Sequence, residues 1–475
     1  MSRLDDLYLA SPIWLQQVMV AGWGMWWRRR RFGPDFERLV EEFRSHERWS
    51  ARQFTEYQTA RLAQVLHAAR QAPFYRPRFE AAGLTEAMTP WEMLARLPIL
   101  SKQELRAHAV DLLTAPSPRE AVTFRSSGTT GTPTEIFYTR EFHSVETASI
   151  EARNLNWAGA TYRDRRLMFG ARKICRFDQD RPPFWRYSPA ENLAYASVYH
   201  LSPKFLPAYV ELLETFKPDV VMGYPSALYP LAEYAIEHDI RLPAVRGVFT
   251  SAEPLADYMR EAIETAWDTR IFDRYGAVEG CVSASQCEHG RYHVNPEIGV
   301  LEILDNDGHP VPPEVEGEVV CTGLYNVLQP LIRYRIGDYA RWASDQTCAC
   351  GRQFPIIEGI DGRIEDACYT ADGRRIIRFD TVFKGVANIR QAQVVQERLD
   401  AFSILVDAAE GFGDSDVDRL RENMRLHVGA VDVTVRRVDT IARTAAGKFR
   451  AVVCLLTDED KRRLRAEAAA AVSHR

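Results

Sequence analysis

From residue 121 to about residue 360, short apolar runs alternate with stretches of helical periodicity, and few folds are open to a chain patterned in this way. Val220-Val221-Met222-Gly223-Tyr224 is one such run, Ser226 to Glu237 reads as a helix, and Gly247-Val248-Phe249-Thr250-Ser251 is the next run. Strand-length segments separated by helix-length segments predict an α/β domain with a substantial sheet. Gly299 to Ile303 and Gly317 to Thr322 read as later strands, connected through the turn Asn306-Asp307-Gly308. Upstream, residues 35–72 read as helical: Phe36, Leu39, Val40 and Phe43 form one apolar stripe, and Leu62, Val65, Leu66 and Ala69 another.

At 475 residues the chain exceeds one ordinary core, so at least two domains are expected. The texture changes near Gly359-Ile360-Asp361-Gly362-Arg363. Beyond it, the charged helical stretches Asp414 to His427 and Asp458 to Arg475 lie among short strands, enough for a small α+β domain. The expected division is a helical extension over residues 1–72, a large domain over 73–361 and a small domain over 362–475. Acids outnumber bases, 65 to 60, and the two are interspersed, which leaves no footprint for nucleic acid. Eight unevenly spaced cysteines do not make a disulfide scaffold and fit a reducing, cytoplasmic setting.

Ile13 to Trp27 is apolar and aromatic, and Arg28 to Arg31 follow it. It falls short of the roughly 20 residues that span a bilayer. Asp5 and Asp6 stand where a signal peptide is basic. Two readings stay open for residues 13–31. One is a helix or loop packed on the main domain; the other is a peripheral anchor on the inner membrane, with Trp23, Trp26 and Trp27 at the headgroups.

Five stretches carry candidate chemistry. Ser126-Ser127-Gly128-Thr129-Thr130-Gly131, between two β-prone runs, can aim backbone N–H groups and hydroxyls at one anion; it can also be a plain turn. Glu279, in Tyr275-Gly276-Ala277-Val278-Glu279, follows the strand-like Arg270-Ile271-Phe272 and can ligate Mg²⁺ on a nucleotide. Ser251-Ala252-Glu253-Pro254 is a strand-to-turn junction whose small residues let a flat ring approach backbone, or else a helix cap. Asp338, after Leu331 to Gly337, can grip paired hydroxyls or serve a turn. Lys448 closes a small-residue loop and can bring a point charge to a developing negative centre.

In this order and in one chain, these motifs resemble those of the adenylate-forming (acyl-AMP-forming) ligases. The resemblance is to their phenylacetate–CoA ligase-like branch with its capsular-polysaccharide members, and it runs from about Pro98 to Lys448. It implies a large multi-sheet adenylation domain and a small α+β domain on a hinge at Glu365. It further implies that residues 126–131 hold ATP phosphates and that Thr130 with Glu279 holds Mg²⁺. Ser251, Ala252, Glu253, Asp273, Tyr275 and Gly276 would surround adenine and the α-phosphate. Asp338 would take the ribose, Arg363 would lie along the nucleotide, and Lys448 would bridge carboxylate and α-phosphate. The acyl pocket is expected between Tyr224, Ala252 and Gly276. Two departures stand out: Thr132 replaces the loop's usual lysine, and Tyr369 to Arg378 replaces a glycine-rich segment.

Cys287, His293, Cys348 and Cys350 form a Cys₃His set with the chemistry of a closed zinc site, with His289 as a competing ligand. The branch resembled carries a structural zinc on a matching C-x₅-H and C-x-C pair. The expected partners are therefore ATP or AMP, Mg²⁺, a structural Zn²⁺, a small carboxylic acid and a thiol acceptor, coenzyme A, with a homodimer left open. Transfer to an amine or hydroxyl, or a non-catalytic nucleotide-binding subunit, are the competing readings.

Overall fold

The computed structural model describes residues 3–115, 121–125, 134–170, 172–176, 178–363, 368–370, 375–376, 379–383, 385–386, 388–444, 449–457 and 459–460. The chain divides into two compact units. One comprises Met1–Ile336 with Ala340–Ile360, the other Gly337–Tyr339 with Asp361–Arg475.

A mixed twelve-stranded sheet dominates the fold. At its heart, five strands run parallel, in the spatial order Leu193–Ser197, Arg166–Gly170, Val220–Gly223, Gly247–Ser251 and Ile271–Gly276. Their runs are apolar because helices cover both faces of such strands. Val221 and Val248 are fully buried against Leu228, Leu231 and Ala232 of the helix Pro225–Glu237 and Ile263 of the helix Asp257–Trp267, while Val220 is buried in a separate cluster with Leu155, Trp157 and Phe249. Beyond Ile271–Gly276 the strands turn antiparallel, through Ser283–Gln286 and Tyr292–Val294 to Ile356–Arg363. Gly299–Leu304 and Gly317–Gly323 pair antiparallel at the far end, where two strands were expected. Both apolar stripes expected in residues 35–72 are buried, on the helices Phe36–His46 and Ala51–Ala69.

Residues 13–31 form one helix, Ile13–Arg31, laid along the edge strand Trp185–Ser188. An edge strand offers unpaired backbone groups, and here a side chain satisfies them. The Gln17 amide accepts from the Tyr187 N–H and donates to the Tyr187 carbonyl. Gln16, buried beside it, accepts from the Arg186 guanidinium. Gly24 allows the close approach: a Cβ there would sit 2.0 Å from Ser188 Oγ. Trp27 points inward, 7% exposed, against Phe124 and His143. Among the described residues no helix is long and apolar enough to cross a membrane.

The second unit carries a four-stranded sheet ordered Asp432–Arg437, Ala401–Ala408, Ile389–Arg398, Val452–Cys454. The helix Asp414–Val428 packs Leu420, Met424 and Val428 against Phe402, Ile404 and Val406 of that sheet. These positions recur at helical spacing, and Gly429, at φ +113°, ends the helix in a conformation open to glycine.

Candidate active site and candidate metal centre

Parallel sheets present ligands at the carboxyl ends of their strands, where loops leave the sheet and backbone groups go unpaired. Register fixes which loops are neighbours here. Gly223 pairs with Thr250, and Ser251 pairs with Arg274. The chain therefore leaves the sheet side by side at Tyr224, at Ser251-Ala252-Glu253 and at Tyr275-Gly276. Six sequence-predicted site residues are thus grouped by three adjacent strand ends, with Asp273 one residue pair below.

Ala252 has φ +70°, a conformation an alanine rarely adopts, and such strain concentrates where a turn is over-determined by its surroundings. The capping alternative for Ser251 does not hold, since the next helix starts at Asp257 behind Ala256. The Glu253 carboxylate instead accepts from the Ser226 N–H at 3.3 Å, at the start of the helix Pro225–Glu237. A carboxylate is favoured there by the helix dipole. Asp273 is buried and accepts from the Thr250 and Tyr292 hydroxyls. Burial raises its pKa above the ordinary carboxylate value, and these hydrogen bonds oppose that rise. Side chains alternate along a strand, so Asp273 and Tyr275 share one face and Arg274 and Gly276 the other.

Glu279 is buried and accepts from the Tyr334 hydroxyl at 3.3 Å. Its turn is tied to a separate hairpin, Val122–Arg125 with Glu135–Tyr138, because the Tyr138 hydroxyl donates to the Val278 carbonyl at 2.9 Å. Gly280 follows at φ +61°, and a Cβ there would sit 2.5 Å from the Phe142 ring. The backbone therefore turns away directly after Glu279 only with glycine in that place. Arg125 and Glu135 are paired across the hairpin, so the two ends of the Ser/Thr/Gly loop are held together. Ser126, Ser127, Gly128, Thr129, Thr130, Gly131 and Thr132 lie outside the described residues, as do Glu365 and Lys448. Asp338 is buried on the strand Tyr334–Trp342, and Arg363 ends the strand Ile356–Arg363. Tyr138 and Tyr334 were not anticipated: each is one tyrosine in an apolar stretch, with no spacing to single it out.

Four other predicted residues meet in space. Ligand atoms of Cys287, His293, Cys348 and Cys350 all lie within 4.8 Å of one another. Cys287 and His293 belong to the hairpin formed by Ser283–Gln286 and Tyr292–Val294, while Cys348 and Cys350 sit in the loop before Ile356. Cys287 Sγ is 3.7 Å from Cys348 Sγ, and Cys350 Sγ is 3.4 Å from His293 Nε2. A tetrahedron with Zn–S bonds of about 2.3 Å and Zn–N of about 2.0 Å has S–S edges of roughly 3.8 Å and S–N edges of roughly 3.5 Å. The donor set therefore matches zinc in both chemistry and size. Desolvation holds His293 down at about 4, leaving a neutral imidazole able to ligate. Burial pushes the Cys287 thiol up to about 12, so a metal there must displace its proton. His289 is exposed and outside the cluster; its N–H donates to Cys287 Sγ at 3.3 Å. The remaining cysteines are buried, as expected of core residues, although Cys281 and Cys321 face each other with sulfurs 2.7 Å apart.

Residues 81–329 match the family described as AMP-binding enzyme, and residues 368–454 match the CapK C-terminal domain. The chain is 24% identical over 454 residues to Protein CapK of Staphylococcus aureus, covering 94% of this chain and 98% of that one. It is 30% identical over 327 residues to the phenylacetate-coenzyme A ligase of Escherichia coli, covering 65% and 71%. Its fold is similar to that of a 2-hydroxyisobutyryl-CoA ligase solved in the postadenylation state with 2-HIB-AMP. The TM-score is 0.67 at 22% identity, over 90% of this chain and 94% of that one.

Proposed function

We propose that this chain, which belongs to the AMP-binding family of adenylate-forming ligases, activates a carboxylic acid as acyl-AMP and passes the acyl group to a thiol, coenzyme A. A carboxylate oxygen attacks the α-phosphorus of ATP, the bond to pyrophosphate breaks, and the thiol sulfur later displaces AMP from the acyl carbon. The observation that carries the reading is the meeting of three adjacent strand ends, at Tyr224, Ser251–Glu253 and Tyr275–Gly276, with the Glu279 turn tied to the hairpin of the Ser/Thr/Gly loop.

Two anions must be brought together, so each residue's work is to neutralise or align charge. Residues 126–131 cradle the phosphates, and Glu279 with Thr130 holds Mg²⁺, which supplies charge neutralisation at the leaving pyrophosphate. Ala252 and Gly276 give a flat base and an acyl chain close access to backbone. Asp338 takes the ribose hydroxyls, Arg363 lies along the nucleotide, Lys448 bridges the two reacting anions, and Glu365 is the hinge of the small domain. Cys287, His293, Cys348 and Cys350 hold a structural zinc.

Pyrophosphate release from a panel of carboxylic acids, with and without coenzyme A, tests the function. Acid-dependent release followed by thiol-dependent AMP release is expected. Release of AMP indifferent to the thiol would favour an amine or hydroxyl acceptor. No acid-dependent pyrophosphate from any carboxylic acid would leave only a nucleotide-binding role.

We infer a peripheral membrane contact for the helix Ile13–Arg31, in a reducing, cytoplasmic setting. Its inner face is docked, yet Trp14 (68% exposed), Val18, Met25 and Trp26 face outward. The helix contains no acid, and Arg28 and Arg29 near its end are exposed, a charge pattern that suits an anionic lipid surface. The full chain is expected to sediment with vesicles of 30% anionic lipid and to stay in solution with neutral ones. Combining Trp14→Ala, Val18→Ala and Trp26→Ala should weaken that binding at least about tenfold, each lost ring or chain removing apolar burial. Equal sedimentation of variant and parent would refute the contact, as would a concentration-dependent dimer through this face in the absence of lipid.

A further inference from the structure

We infer that the acid activated here carries a second anionic group and that Arg274 binds it; the inference rests on the adenylation reading and names its substrate class. Arg274 shares a strand face with Gly276 and folds back over it. A Cβ built on Gly276 would lie 2.8 Å from Arg274 Nη2 and 3.0 Å from Cζ. The guanidinium thus covers the glycine expected to floor the acyl pocket.

Among the described residues nothing accepts a hydrogen bond from this guanidinium, and its Nε is buried without a partner. A guanidinium has five donors in a fixed fork, and leaving them unmet away from water is costly. Glu146 faces Arg274 and also Arg31, with the Tyr138 hydroxyl beside it. Arg31 faces Arg172 in turn and pairs with Glu191 at 3.8 Å, and Arg172 lies over the Trp23 and Tyr195 rings. Glu146 is thus shared between Arg274 and Arg31 and is not held by Arg274 alone. Burial lowers the pKa of Arg274, and the nearby Glu146 and Tyr138 oppose that fall.

An apolar aryl acid would offer this guanidinium no hydrogen-bond acceptor. A second carboxylate on the substrate would meet it in bidentate fashion. The same unpaired group would select against acids that lack the anion, because a site built to bind a polar group rejects the analogue without it far better than an apolar pocket rejects an added one.

Two matched pairs test this by pyrophosphate release from the full chain with Mg·ATP: phenylacetate against 4-carboxyphenylacetate, and butyrate against glutarate. In at least one pair the dianion is expected to have a kcat/KM about tenfold or more above its partner. Arg274→Met should erase that ratio by depressing the dianion alone, and Arg274→Lys should keep part of it. Arg274→Lys keeps the charge and loses the fork, so a preference that survives it only in part separates bidentate binding of the second anion from a purely structural role. Preference for the monoanion in both pairs, or equal loss on all acids in Arg274→Met, would overturn the inference and leave adenylation standing. Silence with all four acids would count against both.

Discussion

Glu279→Gln is expected to lower acid-dependent pyrophosphate release by about 10²- to 10³-fold, the scale of losing one preorganised charge contact to a transferring group. The substitution keeps the shape of the side chain and an oxygen able to accept from the Tyr334 hydroxyl, so the 3.3 Å contact survives. What it removes is the charge. Glu279 is buried, and a carboxylate is kept away from water at a cost unless a cation answers it. Removing that charge should raise the Mg²⁺ concentration needed for half-maximal turnover. That rise separates a metal ligand from a structural carboxylate, whose loss would leave the Mg²⁺ requirement unchanged. A variant within about threefold of the parent rate at saturating Mg²⁺ would remove Glu279 from the chemistry.

The sheet was readable because apolar runs at Val220 to Gly223 and Gly247 to Ser251 are what a strand covered on both faces must look like. The helical stripes at Phe36 and Leu62 were readable for the corresponding reason, since a period near 3.6 has one buried face. Site residues at strand ends were readable as glycine-punctuated junctions. Their adjacency was not, because it depends on register and on the spatial order of the strands, which no local pattern encodes. The same limit hid Tyr334 and Tyr138, whose hydroxyls reach Glu279 and Val278 from other segments. Arg274 was passed over because arginine in a strand ordinarily faces solvent. Only the packed structure puts it over Gly276 with no acceptor among the described residues. For the N-terminal helix, composition allowed two readings. The glycine at position 24 and the paired glutamines now account for its docking on the edge strand, while the outward tryptophan at position 14 leaves the lipid-facing reading in place.

The metal centre gives the second large effect. The purified chain is expected to hold one zinc, and Cys348→Ser should lose it and unfold at a temperature lower by about 5 °C or more. Structural zinc in small domains contributes about 10–16 kcal/mol of apparent binding energy. Here the hairpin and the neighbouring strand are already held by the His293–Ile356 pairing and a buried aromatic layer of Trp157 and Phe354. Only part of that energy therefore reaches global stability. A residual of about 3 kcal/mol still shifts the midpoint several degrees, since 1 kcal/mol corresponds to about 2–4 °C in domains of 150–250 residues. Metal binding displaces the proton that burial holds on Cys287, so affinity should rise with pH through the neutral range, with protons released on loading. His293, neutral well above about 4, adds no proton release of its own there. Chelation should also loosen the loop carrying Cys348 and Cys350, read as faster amide exchange at residues 345–355 with little change at Val220–Gly223. Equal zinc in parent and Cys348→Ser, measured by elemental analysis, would remove Cys348 as a ligand. A metal-free chain with unchanged melting would reduce the four residues to an ordinary cluster of buried thiols.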